Sequence, residues 1–150
     1  MIDPLIRSAN EGDLSTLVAF NQAMALETEN KTLDPTTLRQ GVAAVLADPH
    51  LAGYLLAEVD GQVAGSLMIT EEWSDWRAKR FWWIQSVYVA PAFRRQGIYS
   101  RLYQAVLARA GERGDICGIR LYVEQENSRA QATYHKLGMK QSHYYMFESE

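Results

Sequence analysis

The sequence predicts a mixed α/β fold: one sheet, mostly antiparallel with a late parallel pair, carrying helices on both faces. Two observations lead there. The apolar period changes along the chain in the order β-α-α-β-β-β-α-β-α-β, and an Asp60-Gly61 pair stands between two apolar runs, a strong short-range hairpin signal. A third bears on domain count. The 150 residues contain no repeat, low-complexity tract or Gly/Ser/Pro-rich linker, so residues 1–150 are expected to form one domain.

Each element has its own signal. Residues 6–9 read as a short strand, and Asp13 as the N-cap of a helix carrying Leu14, Leu17, Val18 and Met24 that ends near Thr28. Asp34-Pro35 opens a second helix, cap followed by proline at the first helical position, with Leu38, Val42, Val45 and Leu46 as its stripe and Asp48-Pro49 as its stop. Residues 53–59 and 62–69 form the hairpin about Asp60-Gly61. Residues 71–80 read as a polar, aromatic loop, and 81–89 as a β-branched and aromatic strand stopped by Pro91. A helix opens at Arg94 to Ile98 and ends around Gly111 to Gly114. Residues 119–123 read as a strand, Ser128 caps a last helix closed by Gly138, and residues 139–147 read as a final strand.

Composition narrows the class without naming a chemistry. The single Cys117 makes no internal disulfide and has no Cys or His at metal-ligand spacing, which excludes a disulfide scaffold and a zinc module and fits a reducing cytoplasm. The start lacks a basic and apolar leader, and no run approaches ~18 apolar residues, so neither export nor membrane spanning is expected. A net charge of -3 argues against a dedicated nucleic-acid binder. His50, His135 and His143 assemble no metal or triad pattern and read as structural or surface residues, and no metal site is expected.

Chemistry is concentrated in two segments. Val87-Tyr88-Val89 leads through Ala90-Pro91-Ala92-Phe93 into Arg94-Arg95-Gln96-Gly97-Ile98-Tyr99-Ser100, a strand that passes through a tight turn straight into a helix. The first amides of a helix lack internal partners and sit at the positive end of its dipole, so such a turn offers N–H donors to a phosphate, and Gly97 lets the backbone come close. A solvated surface turn has the same four residues. Neither GxxxxGK[ST] nor GxGxxG with an acidic residue ~20 positions on is present, which excludes a P-loop NTPase and a dinucleotide-binding Rossmann domain. The second segment holds Asn127 and Tyr134, seven residues apart on the first two turns of one helix, where a right-handed crossover sets it beside the first.

Together these segments resemble the GNAT family of N-acetyltransferases, whose signature is Q/R-x-x-G-x-G/A opening a helix, followed after a strand by N-x-x-A-x-x-x-Y-x-K-x-G-F. The chain has Arg94-Arg95-Gln96-Gly97-Ile98-Tyr99, then Asn127, Ala130, Tyr134, Lys136 and Gly138 with Met139. It departs at Tyr99, where the family has Gly or Ala, which affects the pocket's shape.

The resemblance implies a GNAT-like fold with acetyl-coenzyme A in a V-shaped gap between two splayed parallel strands, here residues 82–89 and 119–123. Backbone at Val87, Tyr88 and Val89 would pair with the pantetheine amides as a missing strand does. Amides of Arg95, Gln96, Gly97, Ile98, Tyr99 and Ser100 would hold the pyrophosphate, Arg94 and Arg95 would add charge, and Asn127 would face the same ligand. Acetyl transfer to a primary amine of a small molecule, amino acid, peptide or protein would proceed by direct attack, with a strand amide near Val87 holding the oxyanion and Tyr134 protonating the departing sulfur. The same helical spacing also describes a core tyrosine. Gln85 and Ser86 stand where some relatives carry a carboxylate, which leaves Glu71 and Glu72 as base candidates.

Specificity falls to the loops around 26–31 and 71–77, where Glu27, Glu29, Glu72 and Trp73 would suit a cationic amine. The tryptophans equally fit packing over the sheet. The last strand and the tryptophan-rich loop offer apolar surface for a homodimer. The competing functional class is a non-catalytic acyl-coenzyme A binding or sensing module.

Overall fold

The computed structural model describes residues 2–150. A five-stranded sheet in the order β1-β2-β3-β4-β5 is its centre, with β1 Leu5–Ser8, β2 Gly53–Val59, β3 Gln62–Ser74, β4 Lys79–Val89 and β5 Ile116–Arg120. Successive strands pair antiparallel except β4 and β5, which are parallel. The expected mixed sheet is present.

Four helices cover it: α1 Leu14–Glu29, α2 Pro35–Ala47, α3 Ile98–Arg113 and α4 Ser128–Lys136. Alternation along β2 sends its side chains to two cores. Leu55 and Ala57 join Leu67, Ile84 and the buried α3 residues Ile98, Leu102, Tyr103 and Val106, whereas Tyr54 and Leu56 meet Leu17 of α1 and Val42 of α2. Helices therefore lie on both faces. Among the described residues no helix is long and apolar enough to cross a membrane.

Local signals in the sequence explain several boundaries. Asp34 caps α2 by accepting from the Thr37 amide at 2.9 Å, with Pro35 as the first helical residue. Asp60 and Gly61 have φ of 50° and 77°, the two left-handed residues of a tight hairpin turn. Other boundaries move. The first strand lies one residue earlier than expected, and α1 is entered through a 3-10 turn, Glu11–Asp13, that Asn10 caps. Asp13 closes that cap in return: its carboxylate accepts from the Asn10 amide at 2.8 Å. Asn127, not Ser128, caps α4 through its side-chain oxygen and the Ala130 amide at 3.1 Å. The helix expected from Arg94 begins at Ile98, because Arg95 and Gly97 have positive φ.

Three larger differences come from strand pairing. Most of the expected loop at 71–80 is strand, because Glu71↔Trp82 through Ser74↔Lys79 continue the β3–β4 ladder and leave only residues 75–78 as the turn. The strand expected at 119–123 lies three residues earlier: the Arg80 amide donates to the Asp115 carbonyl at 2.9 Å and starts the parallel ladder there. Gly118 permits it, since a Cβ would sit 2.8 Å from the Phe81 ring. The expected strand at 139–147 does not form. Leu137 and Met139 reach the core, but from Tyr144 to Phe147 the side chains are exposed. A strand needs a neighbour for its backbone, and among the described residues this segment has none.

One ion cluster ties the N-terminus to the sheet. The Arg7 guanidinium donates to both Asp13 oxygens at 2.8 and 2.9 Å and to Glu58 at 3.1 Å, with the Asp13 carboxylate almost wholly buried. The Arg7 bond holds the Asp13 carboxyl below its ordinary range, against the opposing effect of burial. Arg7→Ala strands that carboxylate and is expected to lower stability by about 3 kcal/mol in chemical denaturation. A carboxyl with a depressed folded pKa contributes stability above its unfolded value, near ~4. The wild-type advantage over Arg7→Ala is therefore full at neutral pH and shrinks as pH falls below 4, measured as the difference in denaturation midpoint.

Candidate active site

The site begins with a mismatch in length between the parallel strands. β5 accompanies β4 only from Arg80 to Trp83, and from Ile84 to Val89 β4 has no strand on that side. In the same stretch the antiparallel ladder to β3 slips. Gln85 faces Met68 and Tyr88 faces Ser66, so Ser86 and Val87 together oppose Leu67. Ser86 takes φ 53°, an uncommon conformation for a residue with a Cβ. A bulge of this kind redirects strand backbone and recurs beside active sites.

β4 then runs through a 3-10 turn, Pro91–Phe93, to the start of α3. Arg95 at φ 63° and Gly97 at φ 79° alternate with neighbours of negative φ, a geometry that gathers successive N–H groups on one side. Among the described residues, none of the amides of residues 95–100 donates to another group of the chain; the first helical amide to do so is that of Arg101, to Gly97 at 3.1 Å. These donors converge at the positive end of a 16-residue helix, a ready seat for phosphate.

Tyr99 does not obstruct that seat. Its ring turns against Tyr103 at 6.2 Å and meets Tyr134 edge-on at 5.7 Å, and its hydroxyl is buried without a partner. This contact brings α4 to the first turn of α3. Burial raises the Tyr134 hydroxyl above the ordinary phenol range, so it remains a neutral donor at physiological pH.

The arginines divide. Arg95 projects from the turn without an ion pair among the described residues. Arg94 is drawn to the opposite flank, donating to Glu27 at 2.7 Å and to the Val89 carbonyl at 2.9 Å. Glu27 also accepts from Tyr88 at 2.8 Å, so the end of α1, the end of β4 and the turn share one carboxylate. The Arg94 bond holds its carboxyl below the ordinary range. Glu29 is exposed two residues on, with Lys31 at 3.7 Å.

The remaining carboxylates are committed elsewhere. Glu71 accepts from the Trp82 indole at 2.9 Å and pairs with Arg80 and with Arg113 in the last turn of α3, about 24 Å along that helix from the amide turn. Glu72 accepts from the Trp83 indole at 2.6 Å and from Arg120 at 3.3 Å. Trp73 is exposed beneath the Arg80 guanidinium. Gln85 donates to Thr70 at 2.7 Å. Asn127 spends its side-chain oxygen on capping α4. Among the described residues no group of three or more His, Cys, Asp or Glu is gathered as a metal site requires. Sequence reasoning missed the bulge at Ser86 and the Glu27–Tyr88–Arg94 cluster; neither has a local signal, since one depends on register and the other joins residues 61 and 67 apart.

The chain matches the acetyltransferase (GNAT) family over residues 18–139 and belongs to it. It is 27% identical over 140 residues to the uncharacterized N-acetyltransferase YhfO of Bacillus subtilis, covering 91% of this chain and 89% of that one. A possible acetyltransferase from Clostridium difficile superposes with a TM-score of 0.93 at 43% identity, covering 100% of this chain and 98% of its own. A predicted acetyltransferase from Clostridium acetobutylicum, solved with acetyl-CoA, shares the fold at a TM-score of 0.78 and 20% identity over 98% and 96% of the two chains. Acetyl-CoA is the family's acetyl donor, and the free amides at residues 95–100 fit its phosphates.

Gly97 and Gly111 separate backbone conformation from space, because an added Cβ meets nothing within 4 Å at either. Gly97→Ala imposes a left-handed conformation on a side chain and is expected to lower stability by about 1 kcal/mol. Gly111→Ala, in helical backbone, is expected to raise it by about the same; thermal midpoints of the two variants should move in opposite directions.

Proposed function

We propose that the protein is an N-acetyltransferase that passes the acetyl group of acetyl-CoA to a primary amine of a small molecule, amino acid or peptide by direct attack, with residues 1–150 as one catalytic domain. The observation that carries this reading is the meeting, at one end of β4, of three things: an unpaired strand edge, a run of unpartnered helix-start amides, and a half-buried neutral tyrosine.

Each chain element then has a task. The amides of residues 95–100 hold the pyrophosphate, with Arg95 adding charge. The β4 edge at Val87, Tyr88 and Val89 pairs with the amide-bearing arm of the donor as an added strand. When bound, acetyl-CoA supplies an activated thioester carbonyl with a thiolate leaving group. An amide of the bulge at Ser86 and Val87 receives the charge that develops on the carbonyl oxygen, and the Tyr134 hydroxyl gives its proton to the departing sulfur. Glu27, held ionised by Arg94, is suited to pair with an ammonium at the acceptor side and poorly suited to take its proton. With Glu71 and Glu72 bound in ion pairs, we assign the amine's proton to water.

The test is Tyr134→Phe. Titration calorimetry should find coenzyme A affinity within about twofold of wild type, while turnover in a thiol-release assay over an amine panel falls by roughly ten- to a thousandfold. Because burial raises the Tyr134 pKa, any alkaline decline in wild-type activity from its ionisation should fall above the ordinary phenol value of ~10 and be absent from the variant. Unchanged turnover overturns the tyrosine's role. Coenzyme A binding with no turnover on any amine favours the sensing module.

A further inference from the structure

The helix that carries Tyr134 is lightly attached. Each of α1, α2 and α3 has buried residues, whereas none of the residues of α4 is buried. Its hydrogen bonds stay local: Asn127 accepts from the Ala130 amide, Gln131 donates to the Glu124 and Gln125 carbonyls, and among the described residues none reaches another element. Packing alone is left to place it. Leu137 and Met139, just beyond its end, lie on the sheet core, and among the described residues Tyr134 meets one aromatic ring, that of Tyr99, edge-on at 5.7 Å.

Tyr99, by contrast, stands on a firmly held helix. Ile98, Leu102 and Tyr103 around it are buried, and the Tyr103 ring, one turn on along α3, lies 6.2 Å from its own. An edge-on aromatic pair is directional, because the positive rim of one ring meets the negative face of the other. The contact therefore limits how the Tyr134 ring is turned as well as how near it comes. A glycine or alanine at position 99, as in the family signature, offers Tyr134 no ring.

The Tyr99 hydroxyl contributes differently. Its oxygen is buried without a partner, and burial, with the phenols of Tyr134 and Tyr103 nearby, raises it far above the ordinary phenol range. A phenol that keeps its proton throughout the working range relays none, and an unpartnered buried hydroxyl costs stability. What Tyr99 supplies to the site is the ring.

We propose that Tyr99 is a positioning residue, whose edge-on contact with Tyr134 fixes the place and direction of that phenol at the cleft, a task that α4's own packing leaves undone. The proposal rests on the reading of Tyr134 as the proton donor to the departing sulfur. A misplacement of about 1 Å at a reacting group costs up to roughly a hundredfold in rate, so loss of the ring should show in turnover more than in donor binding.

Two measurements test it. The first needs no turnover: the unliganded protein is labelled with fluorotyrosine, and the Tyr134 fluorine resonance is identified by its loss in Tyr134→Phe. On titration that phenol should ionise above free fluorotyrosine in wild type and in Tyr99→Phe, and move toward the free value in Tyr99→Ala. The second is kinetic. Tyr99→Ala should lower kcat by roughly ten- to a hundredfold with coenzyme A affinity within about threefold, Tyr99→Phe should recover most of that loss, and in a Tyr134→Phe background Tyr99→Ala should cost less than about twofold more. Should circular dichroism show Tyr99→Ala unfolded, Tyr99→Leu, which fills the space without a ring edge, takes its place with the same expectations. An unmoved Tyr134 titration in Tyr99→Ala, an equal kcat loss in Tyr99→Phe, or losses that multiply in the double variant overturns the positioning role. A Tyr134→Phe variant with full turnover overturns the proton-donor reading instead, and the fluorine titration then decides whether Tyr99 places the ring.

Discussion

A buried or crowded backbone must place its N–H and C=O groups, and almost all of this chain obeys that constraint through helices, ladders and caps. Two exceptions lie together. The free flank of β4 after Trp83 and the amides at residues 95–100 are left without partners side by side. A ligand that brings its own amides and phosphates completes the hydrogen bonding there, so the donor seat is built from omitted backbone bonds more than from special side chains.

Charged side chains brace the elements around that seat, near it and far from it. Glu27 ties α1 to both Tyr88 and Arg94, one residue on the strand and one on the turn. Glu71 and Glu72 bind the indoles of Trp82 and Trp83 and the arginines beside them, which keeps β4 and β5 in register at the end away from the cleft. Positive φ at Ser86 and Arg95 shows where the chain accepts local strain, and both positions border the cleft.

What could be read from the sequence was what depends on near neighbours. Asp34-Pro35 and Asp60-Gly61 each determine their own backbone, and the residues from Arg94 to Ser100 carry their turn-to-helix geometry within themselves. Sequence and structure differ where the partner is distant. The residues from 71 to 80 look like a loop because their charges appear unpaired along the chain, yet Glu71 meets Arg80 and Arg113 across the sheet. The register of β5 depends on Phe81 accepting Gly118 beneath its ring. Tyr99 stands at a small-residue position with its direction open in the sequence, and only the packing of Tyr103 and Tyr134 shows where its ring goes. At residues 139–147 the apolar pattern gives a tendency to extend but cannot supply a neighbour.

The registers also give the sheet an uneven outline. β2 reaches β3 only as far as the Gly53↔Ile69 pair, and β5 reaches β4 only from Arg80 to Trp83, opposite Trp73 to Thr70 of β3. No level of this five-stranded sheet is five strands wide. It is two narrower panels offset along a shared β3–β4 spine, with the seam between Trp83 and Ile84. The cleft is the vacant corner of that stepped outline. It owes its existence to β5 stopping after 5 residues beside an 11-residue β4: a few more residues of parallel ladder would turn the notch into ordinary sheet.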